Sequence, residues 1–237
     1  MTRVAVLGAF GRMGSAVCEA VAADADCELV ARVGSGGQLE EVIDAGADVA
    51  VEFTVPDSVK RNVTWLLERG VHTVVGATGL SEDDLADLEQ LTGPANLCVA
   101  PNFAIGAVLL MQLAAQAARH LPQAEIIELH HDRKVDAPSG TALRTARLVA
   151  DARREAPAVP GPADDPARGL LVDGVPVHSV RLPGLVASQE VVFGGPGQTL
   201  SIRHDALDRT AFMPGVLLAI RTVATRPGLT VGLDSLL

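Results

Sequence analysis

The chain has 237 residues, 48% hydrophobic and 20% charged, with a net charge of −10 at neutral pH. That length holds one large domain or two small ones with a full core, and the acidic balance argues against a nucleic-acid partner, which needs a basic face. Three widely spaced cysteines with no CxxC pair suggest neither a zinc site nor a disulfide framework. No apolar run approaches the roughly 20 residues of a membrane span, and none of the early residues read as a leader. The expected compartment is therefore the cytoplasm. With five Phe, one Trp and no Tyr, the core must rest on Ala, Val, Leu and Ile.

In chain order, Val4 to Leu7 reads as a buried strand that passes through Gly8, Gly11 and Gly14 into an alanine-rich helical stretch. A second apolar run, Cys27 to Val33, ends in Gly34-Ser35-Gly36-Gly37. The runs DVAVEFTV, HTVVGATG and NLCVAPNF follow, separated by the helical patterns PDSVKRNVTWLLERG and SEDDLADLEQL. Pro56 suits the first turn of one helix, and Ser81 with Asp84 makes a capping box for the other. Strand and helix alternate at about 25-residue spacing through Asn102, the pattern of a parallel α/β sheet.

After Phe103 the rhythm changes. IGAVLLMQLAAQAARHL reads as a long helix, QAEIIELHH as a strand, Ser139 to Glu155 as a helix, and residues 156–169 as a proline-rich irregular loop. Three β-rich runs, VPVHSVRLPG, LVASQEVVFGG and GQTLSIRHDA, join the strand at 124–131 in an expected four-stranded sheet, and the last segment returns to helix.

Three stretches carry chemistry. The Gly8-Ala-Phe-Gly11-Arg-Met-Gly14 spacing suits a dinucleotide turn, in which no side chain blocks the pyrophosphate and helix N–H groups bind it. Its position, directly after a strand and opening a helix, is the context such a turn requires. The ends of later strands, Phe53-Thr54, Gly76-Ala77-Thr78-Gly79 and Ala100-Pro101-Asn102-Phe103, lie where an open α/β sheet places its ligand. The third stretch, ELHHDRKVDAPSGTA from Glu128 to Ala142, crowds charge into a strand end and then offers Ser139-Gly140-Thr141 at a helix start. Backbone N–H groups and hydroxyls there, with the Lys134 ammonium, suit a carboxylate-bearing ligand. His130 and His131 are adjacent on an extended segment and so face opposite ways. No further Cys, His or carboxylate stands at ligand spacing near them, so no metal is expected.

VLGAFGRMG, EFTVPDSV, VVGATG, APNFAIGAVL, ELHHDRKVDAPSGTA and FGGPGQTLSIRHDALDRTAFMPG run from end to end of the chain. In them it resembles the dihydrodipicolinate reductases of bacterial lysine biosynthesis. The HHxxKxDAPSGTA segment is specific to that family, whereas the glycine turn is widely shared. The resemblance implies a Rossmann-like, parallel-sheet nucleotide-binding domain over 1–103, completed by 210–237. It implies a second, α+β substrate domain over 104–209 with a mixed sheet that builds a homotetramer.

It further implies NADPH or NADH as cofactor, contacted by Gly8, Ala9, Phe10, Gly11, Arg12, Met13, Gly76, Ala77, Thr78, Ala100, Pro101, Asn102 and Phe103. By the same resemblance His130 is the proton donor and Lys134 the second catalytic residue. His131, Lys134, Ser139, Gly140 and Thr141 would bind the substrate carboxylates. The implied reaction is hydride transfer to a cyclic imine dicarboxylate in lysine and diaminopimelate synthesis, with no nucleic acid or membrane as partner.

Two features depart from the family pattern. Many members read GTTG where this chain has Gly76-Ala77-Thr78-Gly79, and the acidic residue common after the second strand is replaced by Gly34. Without that carboxylate, and with Arg12 and Arg32 nearby in sequence terms, NADPH is expected to serve at least as well as NADH. Two alternatives stay open from sequence: a paralogue that reduces a related imine, and a non-catalytic dinucleotide sensor.

Overall fold

A computed structural model describes residues 1–77, 79–155 and 165–237. Thr78 and most of the expected proline-rich loop therefore lie outside the described residues. The chain divides into two compact units, Met1–Ala104 with Phe212–Leu237, and Ile105–Ala211.

In the first unit the apolar runs become short strands, and all but the edge run Cys27–Val33 are buried on both faces, as a parallel sheet covered by helices requires. Strand β1 (Thr2–Leu7) leads to helix α1 (Arg12–Ala23), β2 (Cys27–Val33), a short α2 (Glu40–Asp44) and β3 (Val49–Glu52). Then come α3 (Pro56–Leu67), β4 (His72–Val75), α4 (Glu82–Glu89) and β5 (Leu97–Val99). Val4, Ala5, Val6 and Val49 to Val51 are wholly buried. Pro56 sits in the first turn of α3, where its missing N–H costs nothing. At α4 the Ser81 hydroxyl accepts from the Asp84 N–H while the Asp84 carboxylate accepts from the Ser81 N–H, so the capping box forms as its spacing predicts.

The second unit opens with α5 (Ile105–Ala118), β6 (Gln123–His130) and α6 (Gly140–Ala152), followed by β7 (Leu170–Val172), β8 (Val175–Arg181), β9 (Ala187–Gly195) and β10 (Gln198–Ala206). Its sheet runs β10-β9-β6-β8-β7, with only β6 and β8 parallel. Here the expected four strands are corrected to five. Asp173 and Gly174 both take positive φ, 48° and 76°, and turn β7 back onto β8 as a hairpin. Asp-Gly between apolar residues is a strong hairpin signal, which the three-residue length of β7 obscures. Along β6 the side chains of Ala124, Ile126 and Glu128 alternate onto the buried face, and α6 packs against this strand and β8.

The chain then returns to the first unit through α7 (Met213–Val223) and β11 (Leu229–Val231). Strand β11 pairs parallel with β5 and gives the order β11-β5-β4-β3-β1-β2. Sequence periodicity did not resolve α2 or β11, because five and three residues are too few to display a period. The order reverses between β1 and β3, which brings the loops after these two strands side by side. Such a switch point is where open α/β sheets take their ligands.

Candidate active site

At this switch point the backbone is packed so closely that only glycine fits. A Cβ on Gly8, whose φ is +73°, would lie 2.5 Å from the Phe53 carbonyl oxygen. One on Gly14 would lie 2.1 Å from the Gly8 oxygen. The N–H groups of Gly8 and Ala9 both reach the Val33 carbonyl, at 2.9 and 3.1 Å, which stitches the turn to the end of β2. Ala9 is wholly buried with its N–H engaged, so it shapes the turn from beneath. Gly11 caps α1 with no side-chain hydrogen bond, which leaves the helix dipole and first-turn N–H groups without a capping side chain. Exposed Phe10 and Arg12 and half-buried Met13 flank this opening. The donor set fits a pyrophosphate.

Phe53 stands against two of the other expected positions of this unit, Gly76 and Phe103. A Cβ on Gly76 would meet the Phe53 ring at 2.2 Å, and the Phe103 ring lies 6.1 Å from that of Phe53, tilted by 52°. Ala100 and Phe103 are buried, Ala77 and Asn102 half-buried, and Pro101 exposed. Asn102 uses its side-chain oxygen to accept from the Ala104 N–H at 2.9 Å. Sequence reasoning missed Glu52. Its fully buried carboxylate accepts from the Thr54 N–H at 2.7 Å and the Asn62 amide at 3.0 Å, and so fixes the turn that carries Phe53. The Arg32 guanidinium lies 5.0 Å from the Phe10 ring centroid, and Gly34 sits under that same ring.

In the second unit, Glu128 and His130 stand two residues apart on β6 and share a face. Glu128 is wholly buried, and its carboxylate is hydrogen-bonded to His130 Nδ1. The Arg181 guanidinium grips both carboxylate oxygens, at 2.9 and 2.7 Å. The Ser139 N–H adds a third donor at 3.3 Å, and the Ser139 hydroxyl caps α6 by accepting from Ala142 N–H at 3.2 Å. Exposed Gly140 and half-buried Thr141 form the first turn of α6, and apart from its chain neighbours and the helix's own backbone nothing lies within 4 Å of where a Gly140 Cβ would stand. His131 is half-buried just past the strand end, and a turn links the Lys134 N–H to its carbonyl at 3.1 Å. Lys134 pairs through Nζ with Asp136 at 2.8 Å. His130 and Ser139 thus meet at one carboxylate, with Gly140 and Thr141 in the helix turn that follows Ser139 and Lys134 in the connecting loop.

Two family models cover nearly all of this chain: dihydrodipicolinate reductase N-terminus over residues 2–103 and dihydrodipicolinate reductase C-terminus over residues 106–237. The chain belongs to the dihydrodipicolinate reductase family. It is 54% identical to the 4-hydroxy-tetrahydrodipicolinate reductase of Nocardia farcinica, across 99% of this chain and 98% of that one. With the enzyme of the same name from Streptomyces griseus it shares 53%, across 99% and 97%. A dipicolinate-bound dihydrodipicolinate reductase from Paenisporosarcina superposes along the full length of both chains with a TM-score of 0.87 at 37% identity. The chain is thus an oxidoreductase with the two-part α/β fold of this family.

Two residues of this reductase's second unit were missed from sequence, Glu128 and Arg181. Glu128 looks like one more charge in a crowded stretch, and only the parallel register, which sets His130 opposite Arg181, reveals the pair. Burial alone would raise the Glu128 carboxyl, but the hydrogen bonds from His130, Arg181 and Ser179 outweigh it and hold it at about 2. A folded-state pKa below the ordinary 4.5 gives stability that is complete above pH 4.5 and lost as pH falls towards 2. The contribution is on the order of 3 kcal/mol. Urea unfolding at successive pH values is expected to show a falling midpoint from pH 4.5 downward. The fall should be shallower when Glu128→Gln and Arg181→Met remove the buried pair together. Identical acid limbs in the two proteins would contradict the assignment.

Proposed function

We propose that the chain reduces the conjugated cyclic imine dihydrodipicolinate to tetrahydrodipicolinate, the 4-hydroxy-tetrahydrodipicolinate reductase step of lysine and diaminopimelate synthesis. The observation that carries this reading is an imidazole anchored on a buried carboxylate beside a helix start open to an anion, within a chain about half identical to reductases of that name. When bound, NADPH or NADH supplies the hydride. The chain's own residues then handle charge and proton. Reduction pushes an electron pair towards the ring nitrogen, and the enamine formed takes a proton at carbon. His130 is the donor in this reading, since an imidazole exchanges protons near neutral pH.

Lys134 and His131, with the Ser139 hydroxyl, the Gly140 N–H and the N–H and hydroxyl groups of Thr141, bind the two carboxylates. Lys134 Nζ pairs with Asp136, so a substrate carboxylate has to share the ammonium or draw it away. Gly8 through Met13, Gly76, Ala77, Ala100 and Phe103 shape the cofactor cradle around Phe53. Thr78, Pro101 and Asn102 complete it on the family resemblance. On that resemblance also, the assembly is a homotetramer and the compartment the cytoplasm.

His130→Gln is expected to lower turnover by roughly 100-fold with little change in cofactor affinity. The measurement is an assay that generates the imine in situ and follows loss of NAD(P)H absorbance, beside a cofactor binding titration. Full turnover in the variant would sink the proton-donor role.

Lys134→Ala removes a charge-assisted contact worth roughly 1.5–3 kcal/mol. Dipicolinate should inhibit the unaltered enzyme and bind this variant far more weakly. Equal inhibition of both would refute the carboxylate assignment.

The cofactor reading has its own test. Gly34 follows β2 directly, where an acidic residue would hold the ribose hydroxyls and repel a 2′-phosphate. The enzyme is expected to use NADPH at least as well as NADH. Gly34→Asp should shift the ratio of catalytic efficiencies towards NADH by roughly 10–100-fold. Its Cβ would come 2.6 Å from the Phe10 ring, but that ring is 70% exposed and free to swing outward. An unaltered enzyme with strong NADH preference would overturn this reading.

A further inference from the structure

The Glu128 cluster is more elaborate than a proton donor alone requires. Arg181 holds both carboxylate oxygens and also donates to the backbone oxygens of Val180 and Asp136, at 2.7 and 2.6 Å. The carboxylate is thereby denied rotation. The same guanidinium ties the Asp132–Pro138 loop to the end of β8. Burying such a pair is expensive, and apolar side chains of similar volume often stabilise a fold as well or better. A buried ion pair kept directly against the imidazole therefore calls for a role beyond folding.

We propose that Glu128, braced by Arg181, is the positioning residue of the proton donor. It holds the Nδ1–H of His130 and reserves Nε2 for the proton given to substrate. The proposal rests on His130 being the donor. A neutral imidazole carries one proton, and an ionised carboxylate at Nδ1 keeps that proton there. In the transfer, the Nε2–H bond of the imidazolium breaks and a C–H bond forms with the enamine electron pair. The ring that remains is the neutral Nδ1–H form, and solvent restores the proton at Nε2. The contact is the same in kind as the orienting carboxylate behind other acid–base histidines. Because Ser139 N–H also points at Glu128, one carboxylate fixes both the donor ring and the start of the helix proposed to hold the substrate.

The test uses full-length enzyme labelled with 15N at histidine, with His130→Gln identifying the signal. In the unaltered protein with this imidazole neutral, the proton-free nitrogen is expected to be Nε2. The variant Glu128→Gln with Arg181→Met removes both charges of the pair, so no orphaned charge remains to unfold the protein. In it the ring should move towards the Nε2–H form that free imidazole prefers. Turnover should fall by roughly 10–100-fold, as for loss of other orienting partners, while the cofactor affinity stays near its original value.

Two results would overturn the proposal. One is a double variant that turns over at the original rate, which would make Glu128 a mere counter-charge for Arg181. The other is a neutral His130 in the unaltered enzyme that carries its proton on Nε2, a result that needs no variant to fold. If His130→Gln itself retains full turnover, the donor reading fails instead, so the two failures are told apart.

Discussion

A single buried carboxylate organises the chemistry-bearing part of the second unit. Glu128 lies on the covered face of β6, where an unpaired charge would be very costly, and it is tolerated because three residues converge on it. Arg181 comes from the neighbouring parallel strand, His130 from two residues further along β6, and Ser139 from the start of α6. Each of these ties a different backbone segment to the same two oxygens. The loop from Asp132 to Pro138 is closed at both ends by them, and it is this loop that carries Lys134.

The first unit follows a different constraint. There the determining factor is close approach of backbone to backbone, at Gly8 against Phe53 and at Gly14 against Gly8. Any side chain at either position would push α1 away from β1 and fill the space in front of its N-terminus. The buried Glu52 plays a supporting part by holding the Phe53–Thr54 turn through Thr54 and Asn62. Both units thus use a fully buried glutamate to fix a turn, although among the described residues Glu52 is held by Thr54 and Asn62 and Glu128 by a histidine and an arginine.

Much of this was legible in the residues themselves. Long periodic segments such as α1 and α3 and the apolar run of β1 announced their class, and the Ser81–Asp84 box and Pro56 marked helix starts. The glycine turn and the Ser139-Gly140-Thr141 helix start could be found because their chemistry is local in sequence. What escaped was either too short to show a period, as with β7, β11 and α2, or dependent on a pairing across the sheet. Arg181 stands 53 residues from Glu128, and no local signal links them. The fifth strand of the second sheet had a signal, Asp173-Gly174, hidden by the loop before it.

The reduction consumes one hydride and one proton, and the account assigns the proton to a histidine in exchange with solvent. Turnover of the in situ generated imine in deuterated water, with unlabelled NADPH, examines this directly by mass and NMR analysis of the product. With His130 as donor, the product carries one solvent-derived deuterium beyond any that the imine itself acquires by exchange, with the hydride position left unlabelled. No turnover of this imine, or a product labelled at the hydride position, would contradict it.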